Sequence, residues 1–379
     1  MLTPDFWVAE SAKKEWPTLP SEKNPIRVGD FFSGCGGLTL GLVIACAEAK
    51  RNINIKIATD VWQDALQVYK DNFASILTDA KVLDLSTTVQ APGSVNLSDA
   101  GHSLSMKIGE LDIVVAGPPC QGHSDLNNSS RRDDPRNLLY TIPAAFALKN
   151  NAKILIIENV PNVVHATGKV VGSALNTLHE NGYAVIEVFA DIQDFGLPQT
   201  RKRHLLIGSK VHTAEELTEL TRSSDRRAQD VPLWPIISDL EDELEDPSRL
   251  ITKRTKISEE NKSRIAHLFA KNVYDLPDRL RPACHRDKAH SYVSMYGRLR
   301  KDRPSQTITS GFGSMGQGRF VHPTRQRTIT AHEAARIQGF PDYFNFDSVK
   351  KVTALREMIG NAVPPAVTAN LFKALMNKL

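Results

Sequence analysis

Ile26-Arg27-Val28-Gly29-Asp30-Phe31-Phe32, followed at once by Ser33-Gly34-Cys35-Gly36-Gly37, is the stretch on which the fold turns. Its first half reads as a strand. Its second half is so rich in glycine that a tight turn is the natural reading. Leu38 to Lys50 then carries apolar residues at helical spacing. A strand, a glycine turn and a helix start form a cradle of the kind that holds nucleotide-like ligands, because glycine lets backbone approach where a side chain would clash. The spacing is not the G-x-G-x-x-G of dinucleotide sites. A plain tight turn accounts for the same residues.

Outward from this stretch the alternation continues. Ile53 to Thr59 reads as a strand ending at Asp60, and Asp64 to Phe73 as a helix. Leu111 to Ala116 is a buried-type strand running into Gly117-Pro118-Pro119, and Leu138 to Lys149 is helical. Ala152 to Ile157 is another apolar strand, ending at Glu158-Asn159. Gly172 to Asn181 is helical, and Tyr183 to Ala190 and His204 to Gly208 are strand-like. The pattern predicts an α/β fold, a doubly wound, mostly parallel sheet. Such sheets bind ligands beyond the carboxyl ends of their strands. Asp60, Pro119-Cys120 and Glu158 all fall just past strand ends, which groups them in one site.

Met1 to Pro25 reads as a leader of loop and one short helix, and Ser124 to Asn137 as an exposed polar loop. After about Ser209 the pattern degrades. Asp239 to Asp246 is an acidic run, and Arg279 to Arg303 is dense in Arg, Lys and His. Residues 247–346 read as a second, smaller, irregular domain. Leu355 to Leu379 is helical again after Gly360-Asn361-Ala362-Val363-Pro364-Pro365.

At 379 residues and 41% hydrophobic, the chain can bury a core for one large and one smaller domain. A net charge of +4 suits nucleic acid without requiring it. The four cysteines, Cys35, Cys46, Cys120 and Cys284, form no C-x-x-C pair, so no structural zinc is expected. Cys284, His285 and His290 read as incidental neighbours rather than metal ligands. No secretory signal and no bilayer-length apolar run is visible, so the expectation is a soluble cytoplasmic protein with reduced thiols and no membrane partner.

Four constellations carry chemistry. Asp60 suits the hydroxyls of a ribose, or caps the following helix. Asp84 suits an adenine amino group, or a turn. In Gly117-Pro118-Pro119-Cys120-Gln121-Gly122, two prolines fix the backbone before the thiol. That is how a nucleophile is held, although a buried cysteine is commonly just a small hydrophobe. Glu158 at a buried strand end could hold a heterocycle by its ring nitrogen and amino group, or cap a helix. Gln199-Thr200-Arg201-Lys202-Arg203 precedes a strand, and alternation would put Arg201 and Arg203 on one face, toward a phosphate or carbonyl oxygen. A plain basic edge strand fits too.

Taken in order, Phe-Ser-Gly-x-Gly-Gly, Pro-Pro-Cys-Gln-Gly, Glu-Asn-Val, Gln-x-Arg-x-Arg, Arg303-Pro304-Ser305-Gln306-Thr307-Ile308 and Gly360 to Pro365 resemble the cytosine-5 DNA methyltransferase family. Gly318 to Pro323 and Arg336 to Pro341 resemble the family's segment between the last two blocks. The resemblance runs from Arg27 to Val367. It implies a methyl transfer from S-adenosylmethionine to C5 of a cytosine rotated out of double-stranded DNA, with Cys120 as nucleophile on C6. It implies that Glu158 binds N3 and the exocyclic amine, with Arg201 and Arg203 at the reacting base and Arg203 near O2. It assigns cofactor binding to Phe32, Ser33, Gly34, Gly36, Gly37, Asp60, Val61, Asp84, Pro118, Leu139, Asn361 and Ala362, with no metal. The family often has Glu where this chain has Asp60, and Phe where it has His123, which reads as a packing residue.

By the same resemblance, Ser124 to Asn137 is the loop that closes on flipped DNA, with Arg131, Arg132 and Arg136 toward phosphates. Residues 1–246 and 347–379 would be the catalytic, cofactor-binding domain, with 1–25 as leader. Residues 247–346 would be the target-recognition domain, with Arg279, Arg281, Arg286, Lys288, Arg298, Arg300 and Lys301 as a basic face. The size suits the protective methylase of a bacterial restriction-modification pair, acting without an obligatory protein partner. Two other readings compete: a tRNA methylase, whose usual Cys-Phe-Thr insertion is missing here, and a non-catalytic DNA-binding homologue. A nicotinamide oxidoreductase is disfavoured by the glycine spacing.

Overall fold

The computed structural model describes residues 2–21, 24–119, 135–165, 169–222, 230–286 and 294–379. Helix α1 (Pro4–Ser11) precedes β1 (Ile26–Phe31). Then come α2 (Gly37–Glu48), β2 (Ile53–Asp60), α3 (Gln63–Phe73), β3 (Ala80–Val82), α4 (Asp99–Ile108), β4 (Ile113–Ala116), α5 (Ile142–Lys149), β5 (Ile154–Asn159), α6 (Val170–Glu180), β6 (Ala184–Asp191), β7 (Gln199–Thr200) and β8 (Lys202–Ser209). These build a seven-stranded sheet in the order β3-β2-β1-β4-β5-β8-β6. The neighbours from β3 to β5 are parallel, and β8 runs antiparallel to both β5 and β6. A mostly parallel α/β sheet with helices on both faces is thus what the alternation predicted.

The side-chain period of two sorts the strands onto two cores, except in β2, where a bulge opposite Val28 and Gly29 turns Ile55 and Ile57 to opposite faces. Val28, Ile55, Val115, Ile156 and Leu205 pack with α2 and α3 on one face. Phe31, Ile57, Val114, Ile157 and Leu206 pack with α4, α5 and α6 on the other. β4 and β5 lie in the middle and are buried on both faces, which is why they read as unbroken apolar runs.

Beyond β8 come α7 (Ala214–Thr221), α8 (Trp234–Ile237), α9 (Glu259–Ala270), α10 (Ala283–Arg286), β9 (Ser305–Gln306), α11 (Ala331–Ile337), α12 (Val352–Asn361) and α13 (Pro365–Leu375). Helix α13 returns to pack on α2. A side-chain carbon on Gly41 would stand 2.1 Å from both Pro365 O and Thr368 Oγ1, so only glycine admits that approach. The leader is docked too: Trp7 is buried, Leu2 N donates to Asn370 Oδ1 (2.7 Å), and Tyr343 Oη donates to Glu10 Oε1 (2.8 Å).

A third, smaller core gathers Ile265, Leu268, Leu276, Tyr296, Met315 and Val321. By contrast Ile329, α11, Phe340, Phe344 and Phe346 pack into the core of the α2 face. The acidic run seams these parts together. Arg336 grips Asp239 (2.7 and 2.9 Å) and Asp342, His332 bridges Glu243 (2.7 Å) and Asp342 (2.8 Å), and Arg325 pairs with Asp242.

Candidate active site

Register places the site. Phe31 aligns with Thr59 and with Ala116, and Ala116 aligns with Ile157. The next residues, Asp60, Phe32, Gly117 and Glu158, therefore form a row at the carboxyl edge, spanning about 15 Å at about 4.8 Å per strand. Because β8 enters antiparallel, its beginning reaches the same edge, with Leu205 opposite Glu158 and Arg203 just beyond.

At the left of this row, Phe32 takes a left-handed backbone (φ 57°) and Gly36 another (φ 98°), turning the chain from β1 into α2. A side-chain carbon on Gly36 would meet the Phe73 ring at 2.4 Å. Asp60 ties the turn down, accepting hydrogen bonds from Gly34 N (2.7 Å) and Trp62 N (2.8 Å). Burial pushes its carboxyl upward, against those backbone donors. Asp60 therefore braces the glycine turn, and it is not the cap of α3, whose N-cap residue is Trp62 with no side-chain cap bond. Val61 beside it is 65% exposed, an apolar side chain left facing outward at the strand edge. Among the described residues, Ser33 Oγ is buried without a partner and nothing lies within 4 Å of where a side-chain carbon on Gly34 would stand. Gly37 is pressed against Val363 O, where a side-chain carbon would lie at 2.2 Å, which brings the Asn361-Ala362 segment to the turn.

Beneath the turn, Asp30 is fully buried, accepting a 2.6 Å hydrogen bond from Thr39 Oγ1, itself 2.8 Å from Tyr69 Oη. Burial raises the Asp30 carboxyl to about 7, with the charge on Asp60 adding to the effect. Burial likewise pushes the Cys35 thiol up to about 12, which removes it as a nucleophile near neutral pH.

At the right of the row, Arg203 Nε lies 2.6 Å from Glu158 Oε1, with both side chains largely buried. Glu158 Oε2 faces Gly117, as does Val363. Asn159 Nδ2 donates to Pro118 O (3.2 Å), tying the end of β5 to the Pro118-Pro119 segment that leads to Cys120. Cys120 lies outside the described residues, as do His123, Arg131 and Arg132.

Arg201 does not join Arg203. It falls between β7 and β8, so strand alternation does not govern it. Its guanidinium is buried and donates to Ile308 O (2.9 Å), Gly360 O (3.1 and 3.2 Å) and Ala362 O (3.2 Å). Gln199 and Gln338, which the motif reading passed over as chemistry, complete this clamp. Gln199 Oε1 accepts from Ile308 N (3.0 Å) and its Nε2 donates to Gln338 Oε1 (2.8 Å), while Gln338 Nε2 donates to Ile359 O (2.6 Å). Their signal was their place in the quoted motifs: Gln199 heads Gln-x-Arg-x-Arg, and Gln338 is the third residue of Arg336 to Pro341.

Asn361 is exposed and Ala362 partly buried on the loop this clamp holds. Asp84 is exposed and caps its own turn through Ser86 N (2.9 Å). Leu139 packs against the core under α4 to α6. Of the basic residues expected to face DNA, Arg298 stacks on the Phe269 ring (4.1 Å) and donates to Pro323 O, while Arg281 donates to Leu276 O. These two act within the small core. Lys288 lies outside the described residues. Among the described residues, no group of three or more His, Cys, Asp and Glu could hold a metal ion, and no helix is long and apolar enough to cross a membrane.

Comparison with known proteins agrees with this architecture. The type II methyltransferase M1.BsuMI of Bacillus subtilis (strain 168) is 40% identical over 356 residues, covering 93% of this chain and 80% of that one. The type II methyltransferase M1.HphI of Haemophilus parahaemolyticus is 28% identical, covering 92% and 86%. Among solved structures, the Dnmt2 methyltransferase of S. pombe superposes with a TM-score of 0.62 at 17% identity, over 93% of this chain and 98% of that one. The Entamoeba histolytica methyltransferase EhMeth does so with a TM-score of 0.56 at 18% identity, over 94% and 99%. At those identities the superpositions speak for the fold alone. The family model for C-5 cytosine-specific DNA methylases matches residues 26–377, and the chain belongs to that family.

Proposed function

We propose that this enzyme methylates C5 of a cytosine rotated out of double-stranded DNA at one specific word, as the protective methylase of a restriction-modification system in the bacterial cytoplasm. The observation that supports the proposal is the row at the carboxyl edge: Asp60 and the glycine turn at one end, Glu158 with Arg203 at the other, and Gly117-Pro118-Pro119, which precede Cys120 in the sequence, between them.

S-adenosylmethionine fits the left of that row. The partnerless Ser33 Oγ, the open space above Gly34 and the outward Val61 beside Asp60 supply a polar contact, room for backbone approach and an apolar face. Asp60 would bind the ribose, with Phe32, Gly36, Gly37, Pro118, Asn361 and Ala362 as walls and Asp84 and Leu139 toward the base. When bound, the cofactor supplies the electrophilic methyl group.

The protein's own residues do the rest. Cys120, as thiolate, forms a bond to C6, and the C5–C6 π pair becomes nucleophilic density on C5. Glu158 holds N3 and the amine, so that charge pushed into the ring is met by hydrogen bonding where it develops. Arg203, packed on Glu158, orients it and lies toward O2. After methylation the C5 proton is lost to base, the C6–S bond breaks with its pair returning to sulfur, and the ring double bond is restored.

Residues 247–346 hold the target-recognition part. Packing supports a body for it around Ile265 to Val321, with α11 and Phe340 to Phe346 serving the catalytic body instead. Arg136, Arg279 and Arg286, all exposed, would face phosphates. Tritiated donor offered with duplex DNA and tRNA in one tube tests the substrate: label enters DNA alone. Label in tRNA alone would replace the proposal with an RNA substrate.

A further inference from the structure

Arg356 stands on α12, one helical turn before Gly360. Gly360 is the residue whose carbonyl Arg201 clamps, and it packs against Ser310 and Thr309. The Arg356 guanidinium is half-buried, yet among the described residues it makes no ion pair. Its Nη2 donates to a neutral hydroxyl, Thr255 Oγ1 (2.7 Å). Among the described residues no carboxylate offsets the burial, which pulls the group below its ordinary range. Buried cations are normally paired.

The seat is shaped for the guanidinium. A side-chain carbon on Gly313 would lie 2.3 Å from Arg356 Cζ and 2.5 Å from Nη1, so the group lies flat against backbone that only glycine leaves bare. On the other side, Thr255 lies between Lys253 and Lys256, both exposed and neither in an ion pair among the described residues. Three segments thus converge here: α12 from the catalytic body, the 309–313 loop beside the clamp, and the 253–256 strip leading into α9 of the small core.

We propose that Arg356 is a DNA-backbone contact, one phosphate being the missing counter-ion of this seat. The inference rests on the DNA reading above. The contact carries charge and register and no sequence information, so it is blind to the bases.

The test is binding of fluorescent duplexes of two unrelated sequences between 50 and 200 mM salt, with the full-length enzyme and its Arg356→Ala, Arg356→Lys and Gly313→Ala variants. Loss of one phosphate contact lowers the slope of log affinity against log salt by about 0.9, so affinity falls about 3.5-fold less over that range. Arg356→Ala is expected to show this drop equally on both sequences, with KM for DNA raised and kcat kept. Arg356→Lys should retain the slope. Gly313→Ala, which fills the seat and leaves the charge, should reproduce the loss, and it decides the matter if Arg356→Ala fails to fold. An unchanged slope in a folded Arg356→Ala overturns the phosphate seat while leaving the DNA reading intact, as would a loss confined to one sequence. Failure of the wild type to bind any duplex overturns both.

Discussion

Arg201→Ala separates a structural arginine from a reacting one. Among the described residues, the wild-type guanidinium makes four hydrogen bonds to three carbonyls, at Ile308, Gly360 and Ala362. Ala362 O keeps a donor in Gln338 Nε2 (3.3 Å) after the change. Ile308 O and Gly360 O lose theirs. Each orphaned buried carbonyl costs about 1–3 kcal/mol, so the variant should be destabilised by about 2–6 kcal/mol, a large share of a typical total. The clamp also holds the Asn361-Ala362 segment against Gly37, so affinity for S-adenosylmethionine should fall with stability. Denaturant unfolding with and without the cofactor, beside single-turnover methylation, measures both. A variant that unfolds like the wild type and binds cofactor normally, yet transfers no methyl group, would refute the clamp and put Arg201 on the substrate.

Glu158→Gln keeps the shape of the side chain and removes its charge from Arg203. It should lower kcat by 10²-fold or more, on the order of a lost electrostatic contact in a water-poor site, with cofactor affinity unchanged by calorimetry. Asp60→Ala removes the brace on Gly34 N and Trp62 N, and cofactor affinity should fall by at least tenfold, about 1.4 kcal/mol or more, with DNA affinity kept. His332 supplies a pH dependence. Burial opposes its charge, but the hydrogen bonds it donates to Asp342 and Glu243 prevail and raise it to about 8 from 6.5. A raised folded-state pKa gives stability that is fully present below 6.5 and lost as pH climbs through 8, about 2 kcal/mol in all. Melting curves from pH 6 to pH 9 should show that loss, and His332→Gln should abolish its slope.

The sheet was legible because its middle strands declare themselves: β4 and β5 are unbroken apolar runs. Helix α4 drew no assignment from the sequence, although Ser98 caps it and Leu104 and Ile108 recur at helical spacing, because serines and glycines interrupt its apolar face. Helix α11 was hidden inside a motif, its Thr330-x-x-Glu333 capping box passed over. The grouping of Asp60 and Glu158 followed from strand ends alone. Arg201 escaped the same logic because a break between β7 and β8 resets the alternation that would have aimed it beside Arg203. The seat of Arg356 was beyond reach, since it is made by Thr255 and Gly313, some hundred and some forty residues away in the chain. The basic run from Arg279 to Arg303 was a count of charges, and a count cannot tell Arg298, spent on Phe269 and Pro323 O, from an arginine that faces solvent.

Covalent methyl transfer to cytosine through Cys120 stands at the centre of this mechanism. The most direct measurement incubates purified enzyme, beside Cys120→Ser, with tritiated S-adenosylmethionine and mixed genomic DNA, then maps 5-methylcytosine by sequencing. The account predicts label confined to cytosines of one short recurring word and none from Cys120→Ser. Methylation by Cys120→Ser at the wild-type rate, or no label in DNA from wild-type enzyme that binds its cofactor, would contradict it.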